Sequence, residues 1–263
     1  MVKYYCKFCS FRSVRYLRFA DHVFNNHFFK FSNSDLNLKI NIFVCHYTKL
    51  IEREKYILNE LNNLKNINYK FINEFDKEVI DNNFFNCNKK EWDKKINNLY
   101  SHKCNFRLLK ESEKSLGLKH YEALKNMIDM NLEYVLIIED DCKFEKDFIN
   151  RLSIIIKNLP NDWDVYIPNS YLELFGYNEK RFIKDTNKLV VKRNNPSTAY
   201  TLSYLIKKEA AMKIVNEIEK NKITLPIDFE YNWLFYKLNL NVYWNNSNTP
   251  LIRDANFESS IGH

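Results

Sequence analysis

The sequence predicts an α/β domain built on a mixed, mostly parallel sheet and preceded by a small ββα zinc finger. Apolar runs that suit buried strands alternate with amphipathic runs that suit helices, which is the pattern of α/β proteins. The strongest strand run ends in three consecutive carboxylates. Four side chains of zinc-binding types stand near the N-terminus at a regular spacing. With 263 residues, the chain has room for a finger at 1–31 and a large domain at 38–263.

Strands and helices of the large domain are predicted from the period of their apolar residues. The strands are expected at 39–47, 68–75, 133–138, 163–168, 189–193, 199–203 and 241–244. The helices are expected at 49–64, 111–130, 145–159, 204–221 and 228–238. The stretch 76–107 is polar and ambiguous, so we predict no element there and regard it as a candidate insertion.

Glycine content and charge limit what the chain can bind. It has 3 glycines and no Gly-rich phosphate loop, so a nucleotide would have to be held through a metal ion or through side chains. The formal net charge is +7, and residues 1–31 carry six basic side chains against one acidic. The large domain is therefore nearly neutral, and only the N-terminal segment would attract a polyanion. A solvated helix face explains that segment equally well.

The N-terminal segment has the ligand spacing of a Cys2His2 zinc site. Cys6 and Cys9 are followed by His22 and His27 in the order C-x2-C-x12-H-x4-H. Two thiolates and two imidazoles complete a tetrahedron around Zn²⁺, and zinc binding would supply the folding free energy of so short a segment. The alternative is two unrelated cysteines and two surface histidines. Because one finger reads only about three base pairs, we favour a docking or stabilising role over sequence-specific binding of nucleic acid.

Neither an apolar leader nor a membrane-spanning run is visible in the sequence. We therefore expect a cytoplasmic protein without a membrane span. In a reducing compartment the 6 cysteines would not form a disulfide framework. We interpret His46, Cys45, Cys87, Cys104 and Cys142 as structural.

The three consecutive carboxylates are Glu139, Asp140 and Asp141, which directly follow the apolar run. Open α/β sheets bind ligands at the carboxyl ends of their strands. Adjacent carboxylates repel one another and would be stabilised by a cation, and their hard oxygens suit Mg²⁺ or Mn²⁺. The alternative is a solvated loop in which Asp141 caps the helix that follows. From the residues alone, both interpretations stay open.

The acidic segment and its surroundings resemble glycosyltransferase family 25. The stretch YVLIIEDDCKF at 134–144 is similar to the strand and acidic motif of that family. Other stretches resemble the family's motifs in the same order, at 42–53, 71–76, 115–124, 162–167, 201–211, 226–228 and 258–261. His120 matches the family's pattern, whereas Lys119 and Lys207 stand in place of serines. The resemblance covers nearly all of the chain outside the predicted finger.

The resemblance implies the A-type nucleotide-diphosphosugar transferase fold and a UDP-sugar donor, with galactose or glucose as the transferred hexose. It implies dependence on Mn²⁺ or Mg²⁺ and inversion at the anomeric carbon. The implied acceptor is a hydroxyl on a lipopolysaccharide glycan or on a hydroxylated protein such as collagen. Carried over by position, Glu139, Asp140 and Asp141 share donor and metal binding, with Asp141 and Glu139 as metal ligands.

Further residues are candidates for the remaining roles. Inversion needs a general base on the acceptor hydroxyl, and Asp228 and Glu230 suit it because they follow a proline at the start of a predicted helix. Arg53, His120 and Tyr200 are candidates for donor binding. Each has a plainer interpretation. Asp228 is then a helix N-terminal residue and Arg53 a surface residue, while His120 and Tyr200 pack in the core.

Two other functions stay open at this point. One is a nucleic-acid-binding zinc-finger protein with a degenerate transferase domain, which the lysine at position 119 would allow. Such a protein would bind RNA or DNA with a steep salt dependence and would not hydrolyse a sugar nucleotide. The other is a metal-dependent phosphoryl-transfer enzyme that uses the three carboxylates and cleaves nucleic acid without any sugar nucleotide.

Overall fold

The computed structural model describes most of the large domain and two short strands before it. The described residues are 4–5, 12–13, 38–99, 105–169, 182–183, 189–198, 200–245 and 250–257. Strands β1 (Tyr4–Tyr5) and β2 (Arg12–Ser13) pair antiparallel. Several residues of the sequence predictions lie outside the described part, namely Cys6, Cys9, His22, His27, Cys104 and the stretch 258–261. The finger therefore stays a prediction.

The described part of the large domain alternates strands with helices, as the sequence predicts. The strands are β3 (Ile40–Cys45), β4 (Ile67–Ile72), β5 (Tyr134–Glu139), β6 (Cys142–Phe144), β7 (Val165–Ile167), β8 (Phe182–Ile183), β9 (Val190–Arg193), β10 (Ser203–Lys207), β11 (Val242–Asn245) and β12 (Ile252–Asp254). The helices are α1 (Ile51–Asn62), α2 (Lys89–Leu99), α3 (Glu111–Asp129), α4 (Phe148–Asn158), α5 (Lys208–Asn221) and α6 (Ile227–Lys237). Over the described ranges, none of the helices combines the length and the apolar character that crossing a membrane requires.

One mixed sheet runs through the domain in the strand order β4-β3-β5-β10-β7-β11-β9-β8. Strand β3 pairs parallel with β4 and β5, and β7 pairs parallel with β11. Strand β10 lies antiparallel between β5 and β7, and β9 lies antiparallel between β11 and β8. Most strands thus point one way, which confirms the predicted mixed, mostly parallel sheet. The carboxyl ends of β3, β5 and β7 and the start of β10 meet at one end of the sheet.

The two faces of this sheet are covered by different helices. Because successive strand residues point to opposite faces, Phe43, Val135 and Ile137 pack on one side, and Ile42 and Leu136 pack on the other. Helices α2, α3, α5 and α6 cover the first face, and α1 and α4 cover the second. Full burial of one such aliphatic side chain contributes about 1.5–3 kcal/mol. The two cores hold the strand ends in place, and the polar residues of the site follow those ends.

Helix α2 lies in the stretch for which no element was predicted. Asn88 accepts a hydrogen bond from the Glu91 backbone N–H at 2.9 Å and so caps the helix start. Trp92, Lys95 and Ile96 are its buried residues. The helix was missed because only two large apolar residues mark its inner face, and a lysine holds the third buried position.

Strand β10 begins at Ser203, whereas a strand at 199–203 and a helix from 204 were predicted. Tyr204 is part of the sheet, opposite Ile137, and is buried. Its strand supplies the hydrogen-bond partners that the free edges of β5 and β7 require, so the helix starts only at Lys208. Strands β6 and β12, which form a two-stranded antiparallel ribbon, were not predicted at all.

Candidate active site

A cavity of about 680 Å³ opens where β5 and β7 end and β10 begins. Its wall is formed by the acidic segment, the residues before β10, the start of α6 and strand β12. A volume of this size suits a small-molecule ligand. The residues that line the cavity include Glu139, Asp141, Asn169, Tyr200, Thr201 and Asp228. The structure therefore brings four predicted site residues, Glu139, Asp141, Tyr200 and Asp228, to one cavity.

Arg53 and His46 are the side-chain partners of the middle carboxylate of the acidic segment. Asp140 is buried, with His46 Nδ1 at 2.7 Å and Arg53 Nη1 at 3.0 Å from its two oxygens. Arg53 Nη1 also donates to Asp141 Oδ2 at 2.9 Å. Arg53 is itself buried, so it is not the surface residue of the plainer interpretation. His46, which the sequence left as structural, supports a carboxylate of the site.

One carboxylate oxygen of Asp141 receives no hydrogen bond from the described part of the protein. Within the described residues, its Oδ1 is buried and has no hydrogen-bond partner. The pKa of Asp141 is raised to about 7, mainly by burial and then by the charge of Glu139, with Arg53 opposing both. A carboxylate whose charge is so poorly compensated favours an additional cation.

The donor set fits a divalent cation shared with a substrate. No group of three His, Cys, Asp or Glu side chains forms a ready-made metal cage among the described residues. Mg²⁺-type ions are commonly held by one or two carboxylates together with substrate phosphates and water. The unpartnered oxygen of Asp141, with Glu139 lining the same cavity, matches that mode.

His120 lies behind Glu139 and not in the cavity. Its ring is fully buried, with Nδ1 at 3.0 Å from the Tyr204 hydroxyl and Nε2 at 3.6 Å from Glu139 Oε1. Burial lowers the pKa of His120, but Cys45 and Glu139 outweigh it and raise the pKa to about 10. Thr201 Oγ1 donates to the same Glu139 oxygen at 2.8 Å. The prediction of direct donor contact by His120 is therefore replaced by a role in holding Glu139.

A second, smaller pocket of about 60 Å³ adjoins the cavity at the carboxyl end of β3. Glu139 and Leu116 line both spaces. The basic residues around the small pocket are Arg53, Lys77 and Lys119. Lys119, which replaces a family serine, is buried and donates from Nζ to the Glu74 carbonyl oxygen and to Asp76, both at 2.7 Å. It thereby ties α3 to the loop that follows β4.

Asp228 is the predicted base that reaches the cavity. Burial raises its pKa, a hydrogen bond from the Phe229 backbone N–H (2.9 Å) opposes this, and the charge of Glu139 adds to the rise. A raised pKa makes the carboxylate a better proton acceptor near neutral pH. These features suit a general base.

Glu230, the other candidate base, points away from the cavity. It is 1% exposed, and its Oε1 accepts from Lys95 Nζ at 2.5 Å. Its Oε2 accepts from the backbone N–H groups of Thr224 at 3.1 Å and Leu225 at 3.0 Å. A carboxylate committed to three donors cannot take a proton from a ligand in the cavity. We therefore retain Asp228 alone as the candidate base.

The cavity wall carries the predicted Tyr200 and further residues that the sequence did not single out. Tyr200 is 53% exposed, so the core-packing alternative fails for it. Arg107 makes two hydrogen bonds to Glu113, at 2.6 and 2.5 Å, and both line the cavity. Asn169 and Asp254 also line it. They follow or end short strands without a charged motif, so no sequence signal marked them.

Comparisons with known proteins agree with the resemblance seen in the sequence. The relatives found include human procollagen galactosyltransferase 2, at 32% identity over 130 residues, covering 46% of this chain and 19% of the relative. A glycosyltransferase 25 family member of Aedes aegypti is 31% identical over 135 residues, covering 49% and 20%. Mouse procollagen galactosyltransferase 2 is 29% identical over 160 residues, covering 57% and 24%. The matches thus span about a fifth of these longer relatives.

Structural similarity adds little, whereas the family match is extensive. Mouse xyloside xylosyltransferase 1 aligns over 87% of this chain and 79% of its own, at 10% identity and a TM-score of 0.36, which is too low to carry an argument. The family described as "Glycosyltransferase family 25 (LPS biosynthesis protein)" matches residues 39–230. That match covers well over half of the chain and includes the acidic segment and the start of α6. The chain belongs to glycosyltransferase family 25.

Proposed function

We propose that this protein transfers a hexose, galactose or glucose, from a UDP-sugar to a hydroxyl group, with inversion and with the help of Mn²⁺ or Mg²⁺. The observation that carries the proposal is one cavity lined both by Asp141, whose Oδ1 is without a partner among the described residues, and by Asp228. One provides an anchor for a diphosphate-bound cation, and the other a base for the acceptor. The sugar donor and the acceptor hydroxyl would thus bind in the same cavity.

The donor would lie across both spaces of the site. The basic side chains around the small pocket suit the phosphate-bearing nucleotide end of the donor. Asp141 and Glu139 would hold the cation, which neutralises the charge on the departing diphosphate. Arg53, which donates a hydrogen bond to Asp141, would contact the phosphates. The transferred sugar would then lie in the large cavity.

The acceptor would enter from the open side of the cavity, past Tyr200. Asp228 would take the proton of the acceptor hydroxyl as its oxygen bonds to the anomeric carbon, while the bond from that carbon to the UDP oxygen breaks. A single displacement of this kind inverts the anomeric carbon. The acceptor class, a glycan or a hydroxylated protein, follows from the family resemblance alone.

Donor turnover tests the proposal directly. Release of UDP from a panel of UDP-sugars is measured with Mn²⁺ for the wild type, Asp141→Ala and Asp228→Asn. The matched control is Asp93→Asn, an aspartate on the outer face of α2. We expect one preferred donor, with activity abolished by chelation and reduced at least 100-fold in both site variants. Equal turnover in the wild type and Asp141→Ala would contradict the proposal. Cleavage of nucleic acid without a donor would instead select the phosphoryl-transfer alternative.

We propose separately that Cys6, Cys9, His22 and His27 bind one Zn²⁺. The support is their spacing, together with the antiparallel pairing of Tyr4–Tyr5 with Arg12–Ser13, the residues that flank the C-x2-C in the sequence. The test is elemental analysis of the purified full-length chain. We expect about one zinc per chain, lost in the Cys6→Ser/Cys9→Ser variant. Tight binding of nucleic acid by a chain that turns over no donor would favour the alternative zinc-finger function.

A further inference from the structure

Asn169 carries a buried hydrogen-bond donor that no described part of the protein uses. It stands two residues beyond the end of β7, is 6% exposed and lines the large cavity. Its Oδ1 accepts a hydrogen bond from Ser203 Oγ at 3.0 Å. The other end of the amide, Nδ2, has no partner among the described residues. Buried donors are nearly always paired in proteins, so an unpaired one at a cavity wall indicates a ligand.

Ser203 holds one end of the Asn169 amide through a hydrogen bond. Ser203 is fully buried and pairs with Ile138, directly before Glu139. Because its hydroxyl hydrogen bonds to one end of the amide, the other end is directed elsewhere. Asn169 and Ser203 thus form a small polar floor at this end of the sheet.

The strand order places the polar floor relative to the rest of the site. Along the sheet, the small basic pocket lies at β3, the carboxylates follow β5, and Ser203 and Asn169 belong to β10 and the end of β7. Neighbouring strands are about 4.8 Å apart, so Asn169 lies roughly 10 Å from the strand that carries Glu139. A nucleotide sugar lying along this end of the sheet would put its base, diphosphate and sugar over these three positions in turn.

We propose that the Asn169 amide donates a hydrogen bond to a hydroxyl of the transferred sugar and helps to select that sugar. The assignment rests on the proposed glycosyl transfer. The ligand chemistry is a neutral polyol oxygen, because an amide donor offers a hydrogen bond and no charge. Ser203 is a positioning residue that acts through Asn169. A site built to pair with a hydroxyl discriminates against a sugar that lacks it, since the buried donor is then left unpaired.

The test compares the affinity for UDP with that for the preferred UDP-hexose, both measured by calorimetry with Mn²⁺. In Asn169→Ala we expect the Kd for UDP to stay within about twofold, and the Kd for UDP-hexose to rise about 5- to 50-fold. Ser203→Ala should show the same pattern to a smaller extent. Asn158→Ala, at an exposed asparagine on α4, is the matched control and should change neither Kd.

If the role of Asn169 were merely structural, Asn169→Ala would weaken the binding of UDP and of UDP-hexose equally and would lower the melting temperature. An unchanged ratio of the two Kd values in folded Asn169→Ala would overturn the inference. Should that variant not fold, Asn169→Asp, which has the same size and lacks the donor, decides by the same ratio. A wild type that binds UDP but binds none of the UDP-hexoses would contradict the proposed function itself, so the two failures are distinguishable.

Discussion

The buried ion pair between α2 and α6 offers a quantitative test of how the site is held. Lys95 and Glu230 are 4% and 1% exposed, and Lys95 also donates to Thr224 Oγ1 at 3.1 Å. Because Glu230 binds the backbone of 224–225 as well, the pair ties α2 to the turn that leads into Asp228. The perturbation is Lys95→Met, Glu230→Gln and the double variant, each close to the original in size.

Removing one partner of a buried ion pair costs about 3–5 kcal/mol, because the other charge is left uncompensated. In Lys95→Met the carboxylate keeps its two backbone donors, so we expect the lower end, about 3 kcal/mol. At about 2–4 °C per kcal/mol for a domain of this size, the melting temperature should fall by about 6–12 °C. The double variant buries no charge and should cost less than either single change, because replacing a whole pair is often nearly neutral.

The assay is urea unfolding followed by tryptophan fluorescence, with Trp92 on α2 as a buried reporter next to the pair. A loss of less than about 1 kcal/mol in the free energy of unfolding of each single variant would refute the buried ion pair. So would losses of the single variants that simply add up in the double variant. In the folded variants we expect kcat to fall while KM for the donor stays nearly unchanged, since the base is displaced and the donor pocket is not. A fall in donor affinity alone would contradict that reasoning.

Four further predictions concern three single residues. Arg53→Gln should raise the affinity for Mn²⁺ several-fold in the absence of nucleotide, because the guanidinium no longer neutralises Asp141. The same variant should bind UDP more weakly. Calorimetry measures both affinities, and a fall in both would contradict this role of Arg53. Since Asp228 has a raised pKa, its basic form is lost as pH falls through that value, so the acid limb of the kcat profile should lie above the usual aspartate range near 4. Because of the same raised pKa, the folded state loses stability as the pH rises through the pKa of Asp228. Asp228→Asn should therefore raise the melting temperature at pH 8 and have little effect at pH 4. A larger effect at pH 4 than at pH 8 would be inconsistent with a buried Asp228. Lys119→Ser should lower stability and weaken UDP binding by freeing Asp76, and unchanged UDP affinity would exclude Lys119 from the donor pocket.

The part of the site that is contiguous in sequence could be predicted, because strand and motif occur together. Glu139 and Asp141 follow an apolar strand directly, and its carboxyl end is where such sheets bind ligands. Asp228 was found in the same way, after a proline at a helix start. The sheet itself followed from the continuous apolar runs of its strands, which burial of both faces of a strand requires.

The rest depends on contacts between residues that are far apart in the chain. Nothing in the sequence indicates that Glu230 pairs with Lys95, 135 positions away, instead of facing the cavity. His120 has the right type for donor contact, but its helix turns it under Glu139. Asn169 carries no motif, and only its distance to Ser203 and its unpaired donor make it visible.

Strand β10 runs against its two neighbours, and this direction has a consequence for how the specificity of such a protein can change. An antiparallel strand brings its beginning, not its end, to the side where the acidic segment lies. The segment before it, with Tyr200 and Thr201, can therefore be exchanged for that of a relative while the register of Ser203–Lys207 with β5 and β7 is left intact. Chimeras that replace 194–202 should keep the fold and alter the preferred substrate.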